Sequence, residues 1–189
     1  MKTKLASALF TATALALLAG PALAVEYTAV DPAQSKLTFA YTQMGVGMDG
    51  NFSKFSAKLA FNPAKPEAAH ATMDVQLASI DTGSEEANGE VAGKAWFNTA
   101  AYPVAHFESS GVKALGGNRF QLTGKLTIKG RSKDISTPVN FTAKGNQGLF
   151  EGAFAFNRSD FAIGEGSWSD TSVVANPIQI RFKLLATGK

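Results

Sequence analysis

The sequence has no cysteine among its 189 residues. This absence excludes disulfide bridges, nucleophilic thiols, thiolate metal ligands and a lipid-modified N-terminal cysteine. Histidine is nearly as scarce, because His70 and His106 are the only two. We expect His106 to point outward from a strand and His70 to lie at a loop-to-strand junction, and neither has metal ligands or a nucleophile at a productive spacing. The sequence therefore predicts no catalytic residue, no metal site and no cofactor, and we interpret the chain as a non-enzymatic protein.

The first segment of the chain has the three parts of a secretory signal peptide. Lys2 and Lys4 form a basic start, residues 5–19 are apolar, and residues 20–24 end in the small-x-small pattern that precedes cleavage. We predict that residues 1–24 are a signal peptide cleaved after Ala24. Residues 25–189 are then expected to form a single exported domain.

Excess positive charge is also lacking once that segment is removed. Loss of Lys2 and Lys4 lowers the formal net charge from +3 to about +1. A near-neutral body has no basic surface for a nucleic acid, so we predict no nucleic-acid partner. The mature sequence also has no second apolar run of the length that a membrane helix needs, and we expect a soluble protein.

The mature chain is dominated by alternation of apolar and polar residues, which is typical of strands with one buried face. Leu37, Phe39 and Tyr41 share one face of the first strand, and Ile180 and Phe182 share one face of the last. Short glycine- and asparagine-containing spacers predict antiparallel neighbours. The fold class is therefore all-β, an eight-stranded antiparallel barrel with a two-sheet sandwich as the alternative.

One stretch, residues 82–101, breaks the alternation and is rich in alanine and glutamate. Ser84 followed by Glu85 and Glu86 has the pattern of a helix N-cap with an acidic first turn. Gly89 and Gly93 make a long helix unfavourable. We predict one or two short helices between strands in this stretch.

The inward faces carry much of the chain's aromatic content, which includes 14 phenylalanines. An aromatic core is the simple interpretation. Small residues on the same faces, Ala57, Ala71, Gly124, Ala143 and Gly152, instead favour a barrel wall that leaves an internal apolar tunnel. The residues predicted to line this pocket, its mouth and its ends are Phe39, Tyr41, Met44, Met48, Phe52, Trp96, Phe97, Phe107, Leu126, Phe141, Phe154, Phe156, Phe161, Trp168, Ile180 and Phe182.

Cations cluster in the turn formed by residues 129–133. Such a cluster is usually a solvated hairpin turn, and the alternative is a contact for an anionic lipid head group or a ligand phosphate. The candidate head-group contacts are Lys129, Arg131, Lys133 and Arg158.

The order and spacing of several motifs resemble the YceI-like family of periplasmic lipid- or polyisoprenoid-binding proteins, over residues 27–186. The motifs are Asp31 with Ser35, Gly-Asn-Phe at 50–52, Ile-Asp-Thr-Gly at 80–83, Trp-Phe-Asn at 96–98, Gly-Lys-Leu-Thr-Ile-Lys-Gly at 124–130 and the segment 157–166. The resemblance implies a lipocalin-like eight-stranded barrel with an elongated pocket, no established catalytic residues and a periplasmic location. It also implies an isoprenoid ligand, either a polyprenyl phosphate or the tail of a quinone.

Two positions depart from the family pattern. Tyr41-Thr42-Gln43-Met44 stands where many members have a histidine, and Ala162 stands where glycine is usual. The Gly-Glu-Gly-Ser-Trp segment at 164–168 resembles the branch associated with membrane proteins of the cytochrome b561 type. The alternative function is therefore an accessory protein that docks on such a redox enzyme through residues 129–133 or 164–168. A homodimer is a further alternative that the sequence leaves open.

Overall fold

The computed structural model describes residues 25–189, so the predicted signal peptide lies outside the described residues. These described residues form one closed sheet and one α-helix, α1, over Glu85–Ala92. The strands are β1 Tyr27–Gln43, β2 Val46–Phe52, β3 Phe55–Phe61, β4 His70–Gln76, β5 Ile80–Asp81, β6 Val104–Gly116, β7 Arg119–Ile128, β8 Arg131–Lys144, β9 Gln147–Asn157 and β10 Pro177–Gly188.

The ten strands make an eight-stranded antiparallel barrel, because β2 and β3 together occupy one position in the wall and β4 and β5 together occupy another. β2 and β3 both pair with β1, and β5 and β4 pair with β2 and β3 in the same order. Short interruptions at residues 53–54 and at the 3-10 helix Leu77–Ser79 separate the members of each pair. Pairing of β10 with β1 closes the ring, which confirms the predicted barrel over the sandwich.

Alternation decides which face of each strand turns inward. On β10, Ile178, Ile180 and Phe182 face the interior, while Gln179 and Arg181 between them are exposed. Since the side-chain period of a strand is two residues, this pattern fixes the register against both neighbours.

One end of the barrel is closed by aromatic rings, which we call the aromatic plug. Its members are Tyr27, Phe61, Phe120, Phe141 and Phe150, all buried. The ring centroids of Phe61 lie 5.0, 5.2 and 5.1 Å from those of Phe120, Phe141 and Phe150. Tilted and edge-to-face contacts at these distances add to the free energy gained by burying the rings.

The opposite end, which we call the helical end, is closed by two connections, residues 82–103 and residues 158–176. Helix α1 begins at the predicted cap, where Ser84 Oγ accepts a hydrogen bond from Ala87 N at 3.4 Å, and Glu85 and Glu86 occupy its first turn. The predicted short helix is therefore confirmed in place and in length. Within residues 25–189, no helix has the length and apolar character to cross a membrane.

Two hairpins at this end turn in only two residues each. Met44 and Gly45 have φ of 49° and 79°, and Lys129 and Gly130 have φ of 49° and 71°. Positive φ at both central positions matches the right-handed twist of the flanking strands. Met44 therefore lies in a tight turn instead of the longer loop that the sequence predicted, and it is 76% exposed to solvent.

The ring contacts of the aromatic plug predict that one substitution lowers the free energy of unfolding strongly. Phe61→Ala removes the ring that contacts four other plug rings and should lower the free energy of unfolding by about 3–5 kcal/mol. Leu115→Ala, at an exposed position, is the control and should change it by less than about 0.5 kcal/mol. Urea denaturation measures both, and equal effects would contradict the plug.

Candidate ligand-binding cavity

The barrel encloses a cavity of about 550 Å³ between the aromatic plug and the helical end. Its lining is almost wholly apolar, and its volume falls within the range of about 300–1,000 Å³ that small-molecule pockets occupy. Most of the predicted pocket residues line it: Phe39, Tyr41, Phe52, Trp96, Phe97, Phe107, Leu126, Phe154, Phe156, Trp168, Ile180 and Phe182.

Met44, Met48, Phe141 and Phe161 do not line the cavity. Met48 lies in β2 opposite Tyr41, next to the tight turn that holds Met44. Phe141 belongs to the aromatic plug, and Phe161 is fully buried behind the wall, edge-on to Phe156 at 5.1 Å. The aromatic character of Phe141 and Phe161 indicated that their rings are buried. It did not show whether a ring faces the cavity or packs behind another ring.

Other lining residues follow the same inward alternation that the prediction used, and the sequence therefore carried the signal for them. They include Leu37, Leu59, Met73, Val75, Leu122, Ile128, Ile135, Ile178 and Leu184. Val112 lines the cavity out of phase with Phe107, because the register of β6 shifts between Ser109 and Gly111. Ile163 and Val174 also line the cavity, but they lie in the 158–176 connection, where no period identifies them.

The sequence predicted that glycines on the inward faces leave open space. In the structure, aromatic rings cover these glycines instead. A Cβ placed on Gly152 would lie 2.4 Å from Cζ of Phe182, its directly opposite partner on β10. A Cβ on Gly124 would lie 2.4 Å from Cζ of Phe107. Each ring therefore lies against the wall over a glycine, which keeps its bulk out of the centre of the barrel.

The small alanines behave differently from the glycines. Ala57 and Ala71 line the cavity as predicted, whereas Ala143 is exposed near the end of β8.

Arg158 is the most deeply buried charged side chain among the described residues, with 1% of its surface exposed. Burial lowers the pKa of its guanidinium from the ordinary value, although an arginine keeps its charge. Every guanidinium nitrogen donates to backbone carbonyls at the helical end. The acceptors are the carbonyl oxygens of Ile163 and Gly164 at 2.9 Å, Trp168 and Val174 at 2.8 Å, and Val174 and Ala175 at 3.3 Å.

Glycine at position 164 makes this arrangement sterically accessible. Gly164 has φ of +77°, and a Cβ there would collide with Nη1 of Arg158. The amides of Gly164 and Glu165 both donate to Ala95 O at 2.8 Å, and Trp168 Nε1 donates to Glu90 Oε1 at 2.7 Å. The 164–168 motif therefore ties the two connections of the helical end to each other.

The cations of the 129–133 turn lie outside the cavity lining. Lys129 uses its ammonium donors on Lys94 O at 3.1 Å, Ala162 O at 2.7 Å and Glu165 Oε2 at 2.9 Å. The hydrogen bond that Lys129 donates to Glu165 and the positive charge of Lys129 lower the pKa of the Glu165 carboxyl. Lys129 therefore serves the helical end as a structural tie.

The remaining cations of that turn are open to solvent. Lys133 lies 3.8 Å from Asp160, and Arg131 is exposed. Arg158, the fourth predicted head-group contact, is buried and lines the cavity, and its donors are bonded to carbonyls of its own chain.

The departure at position 162 has a visible physical consequence. Ala162 follows the 3-10 helix Arg158–Phe161 with φ of 55° and ψ of 39°, in the left-handed region. Glycine adopts this conformation without steric cost, whereas an L side chain pays about 1–2 kcal/mol. Ala162 O nonetheless holds its hydrogen bond from Lys129.

Both histidines contribute to pairings along the wall. His106 Nδ1 lies 2.6 Å from Asp74 Oδ1 across β4 and β6, and His70 Nδ1 lies 3.4 Å from Ser109 Oγ. Within residues 25–189, no three His, Asp or Glu side chains come together as a set that could hold a metal ion.

The chain belongs to the family of YceI-like domains, whose family model matches residues 28–186. It is 32% identical over 180 residues to a UPF0312 protein of Pseudomonas syringae pv. tomato, covering 90% of this chain and 93% of that protein. The match to nearly the whole length of both chains places the barrel and both connections in the shared domain.

Two solved structures have the same architecture. The crystal structure of Burkholderia cenocepacia BcnA superposes with a TM-score of 0.82 at 44% identity, covering 84% of this chain and 99% of that one. A polyisoprenoid-binding domain from Saccharophagus degradans superposes with a TM-score of 0.69 at 18% identity, covering 87% and 99% of the two chains. The second likeness establishes the fold.

We call the hydrogen bonds from Arg158 to the carbonyls of the helical end the Arg158 clamp. This clamp predicts that a substitution that keeps the positive charge still lowers the stability of the protein. Arg158→Lys replaces five forked donors with a single ammonium, so several buried carbonyls lose their partners and unfolding should become easier by about 3 kcal/mol or more. Arg131→Lys, on the exposed turn, should change stability by less than about 0.5 kcal/mol. Thermal and urea unfolding measure both variants, and an Arg158→Lys protein of wild-type stability would refute the clamp.

Proposed function

We propose that this protein is a periplasmic binding protein that holds a long apolar isoprenoid lipid inside its barrel. The observation that carries the proposal is the apolar cavity of about 550 Å³. Its lining runs from Val30 and Leu184 near the aromatic plug to Gln43 and Trp168 at the helical end. A cavity bounded in this way suits a chain-like ligand with one end buried against the plug.

The energetics of such binding need few polar contacts. Each CH₂ group removed from water contributes about 0.8 kcal/mol, so several isoprene units offset the entropy lost when the ligand is ordered. Phe154, Phe156, Ile180 and Phe182 on two adjacent strands supply a continuous apolar wall for this contact. The length of the cavity would then select the ligand more strongly than any single side chain.

Polar residues line the cavity in two places, with Lys58, His70 and Thr72 on β3 and β4 toward the aromatic plug and a second group at the helical end. Gln43, Thr82 and Arg158 line the helical end, together with Glu86 and Glu90 of α1. A polar head group is more stable there than against the phenylalanine rings of the plug. The head would be the ring of a quinone or the phosphate of a polyprenyl phosphate.

The comparisons support the proposal at the level of the family. A domain described as polyisoprenoid-binding shares the fold. This chain itself belongs to the family of YceI-like domains. The sequence pattern of residues 1–24 supports export to the periplasm. A non-enzymatic role follows from the same reasoning, because the proposed activity is binding alone.

Docking on a cytochrome b561-type enzyme and formation of a homodimer stay predictions. The 164–168 segment was the motif that suggested the first of these. Its contacts with Arg158, Ala95 and Glu90 explain the motif within this chain, and they give docking no separate support.

The direct test is to isolate the protein from the periplasmic fraction of cells that express the full sequence. Native mass spectrometry should show a chain that begins at Val25 and carries one lipid, and extraction should release a prenyl quinone or a prenyl phosphate. A barrel that is consistently free of lipid and takes up no added prenyl lipid would refute the binding function. A chain retaining residues 1–24 would refute only the cleavage after Ala24, and absence of the protein from the periplasmic fraction would refute the export.

Gly152 predicts a way to narrow the cavity. Gly152→Ala places a methyl group where the ring of Phe182 lies, so the ring must move toward the lumen, and affinity for a prenyl quinone should fall about tenfold. Gly111→Ala is the matched control, because its Cβ meets only Thr123 Oγ1 at 3.4 Å and affinity should not change. Fluorescence titration measures both, and equal affinities would show that the ring over Gly152 does not set the width of the cavity.

A further inference from the structure

The indole nitrogen of Trp96 is unusual among the polar atoms of the described residues. The Trp96 side chain is 7% exposed and lines the cavity at the helical end. Among the described residues, Trp96 Nε1 is the one buried side-chain nitrogen or oxygen without a hydrogen-bond partner. The neighbouring Trp168, whose ring centroid lies 5.4 Å away, donates its own Nε1–H to Glu90 at 2.7 Å. Two cavity-lining indoles therefore differ in one property, which is whether the N–H has an acceptor in the chain.

An unpaired buried donor is costly. Leaving such a group without an acceptor costs about 1–3 kcal/mol, and nearly all buried polar groups in proteins are paired. A phenylalanine at position 96 would fill similar space without this cost. Trp96 Nε1 is itself fully buried, so an acceptor on a molecule in the cavity reaches it when the indole ring turns toward the lumen.

The surroundings of Trp96 favour an electron-rich acceptor. The guanidinium carbon of Arg158 lies 5.5 Å from the centroid of the Trp96 ring. All hydrogen bonds of that guanidinium go to backbone carbonyls, so no carboxylate is bonded to its positive charge. The positive charge stabilises an oxygen atom with negative or partial negative charge at such a position, whereas the carboxylates of Glu86 and Glu90 at the same end oppose a full negative charge.

We propose that Trp96 Nε1–H donates a hydrogen bond to an oxygen atom of the ligand's head group. This inference rests on the proposed lipid-binding function and deepens it. It fixes the head group at the helical end and the tail toward the aromatic plug. It also gives the protein a preference for prenyl lipids that carry an oxygen acceptor over prenyl hydrocarbons of similar length. A quinone carbonyl and a phosphate oxygen share this chemistry.

The test compares three probes on three proteins. A short-chain ubiquinone and farnesyl phosphate carry the acceptor, and squalene is the hydrocarbon without it. Trp96→Phe should weaken binding of at least one oxygen-bearing probe by about 3–10-fold and leave squalene binding unchanged. Trp168→Phe is the matched control, because its N–H already has Glu90 and its loss should not discriminate between the probes.

The pattern of loss identifies the head group. Weaker binding of the ubiquinone alone indicates a carbonyl, and weaker binding of farnesyl phosphate alone indicates a phosphate. Equal loss for all three probes would show that Trp96 acts only through the packing of its ring, and no loss for any probe would show that its N–H is not used. Either result overturns the inference.

A spectroscopic measurement keeps the test independent of folding in the Trp96 variant. The chain has two tryptophans, so Trp168→Phe leaves Trp96 as the one indole N–H in an NMR spectrum. That proton should move downfield when an oxygen-bearing probe binds and should not do so with squalene. Identical shifts with all three probes would overturn the head-group contact. A wild-type protein that binds none of the probes would instead refute the proposed function.

Discussion

The buried guanidinium of Arg158 is the interaction on which the helical end of the barrel depends. Removing an ion of this kind from water costs several kcal/mol, and here no carboxylate is bonded to it. The backbone carbonyls of the 158–176 connection offset that cost, since the fork of the side chain reaches carbonyls before and after the 3-10 helix Gly166–Trp168. The connection is therefore held in one conformation, with its Trp168 lining the cavity beside Trp96 of the 82–103 connection.

The cavity exists because its two ends are closed by different chemistry. Around Phe61, aromatic rings fill the far end, whereas backbone carbonyls, indoles and the first turns of α1 form the near end. Between them, rings such as Phe182 lie over glycines of the neighbouring strand, so a wall rich in phenylalanine still encloses an open lumen. Large residues and open space coexist in part because rings such as Phe107 and Phe182 lie against the wall over a glycine of the neighbouring strand.

Much of this architecture could be predicted from local pattern. Alternation identified the inner faces, as with Ile180 and Phe182, and Ser84 with its acidic neighbours identified the start of α1. Three features could not be predicted in this way. A charged residue such as Arg158 is expected at the surface, and its burial depends on carbonyls that only the folded connection brings together. The side on which Phe161 lies depends on packing, and the contact of Phe182 with Gly152 depends on register between two strands.

The central claim is that an isoprenoid chain occupies the lumen with its tail toward the plug. Intermolecular nuclear Overhauser effects between a bound prenyl quinone and isotopically labelled methyl groups of the protein test it most directly. The account predicts contacts to Ile135 and Ile180 in the cavity wall, with the terminal isoprene unit nearest Leu184. Contacts confined to exposed residues of the outer surface, such as Val46 and Leu115, would contradict it.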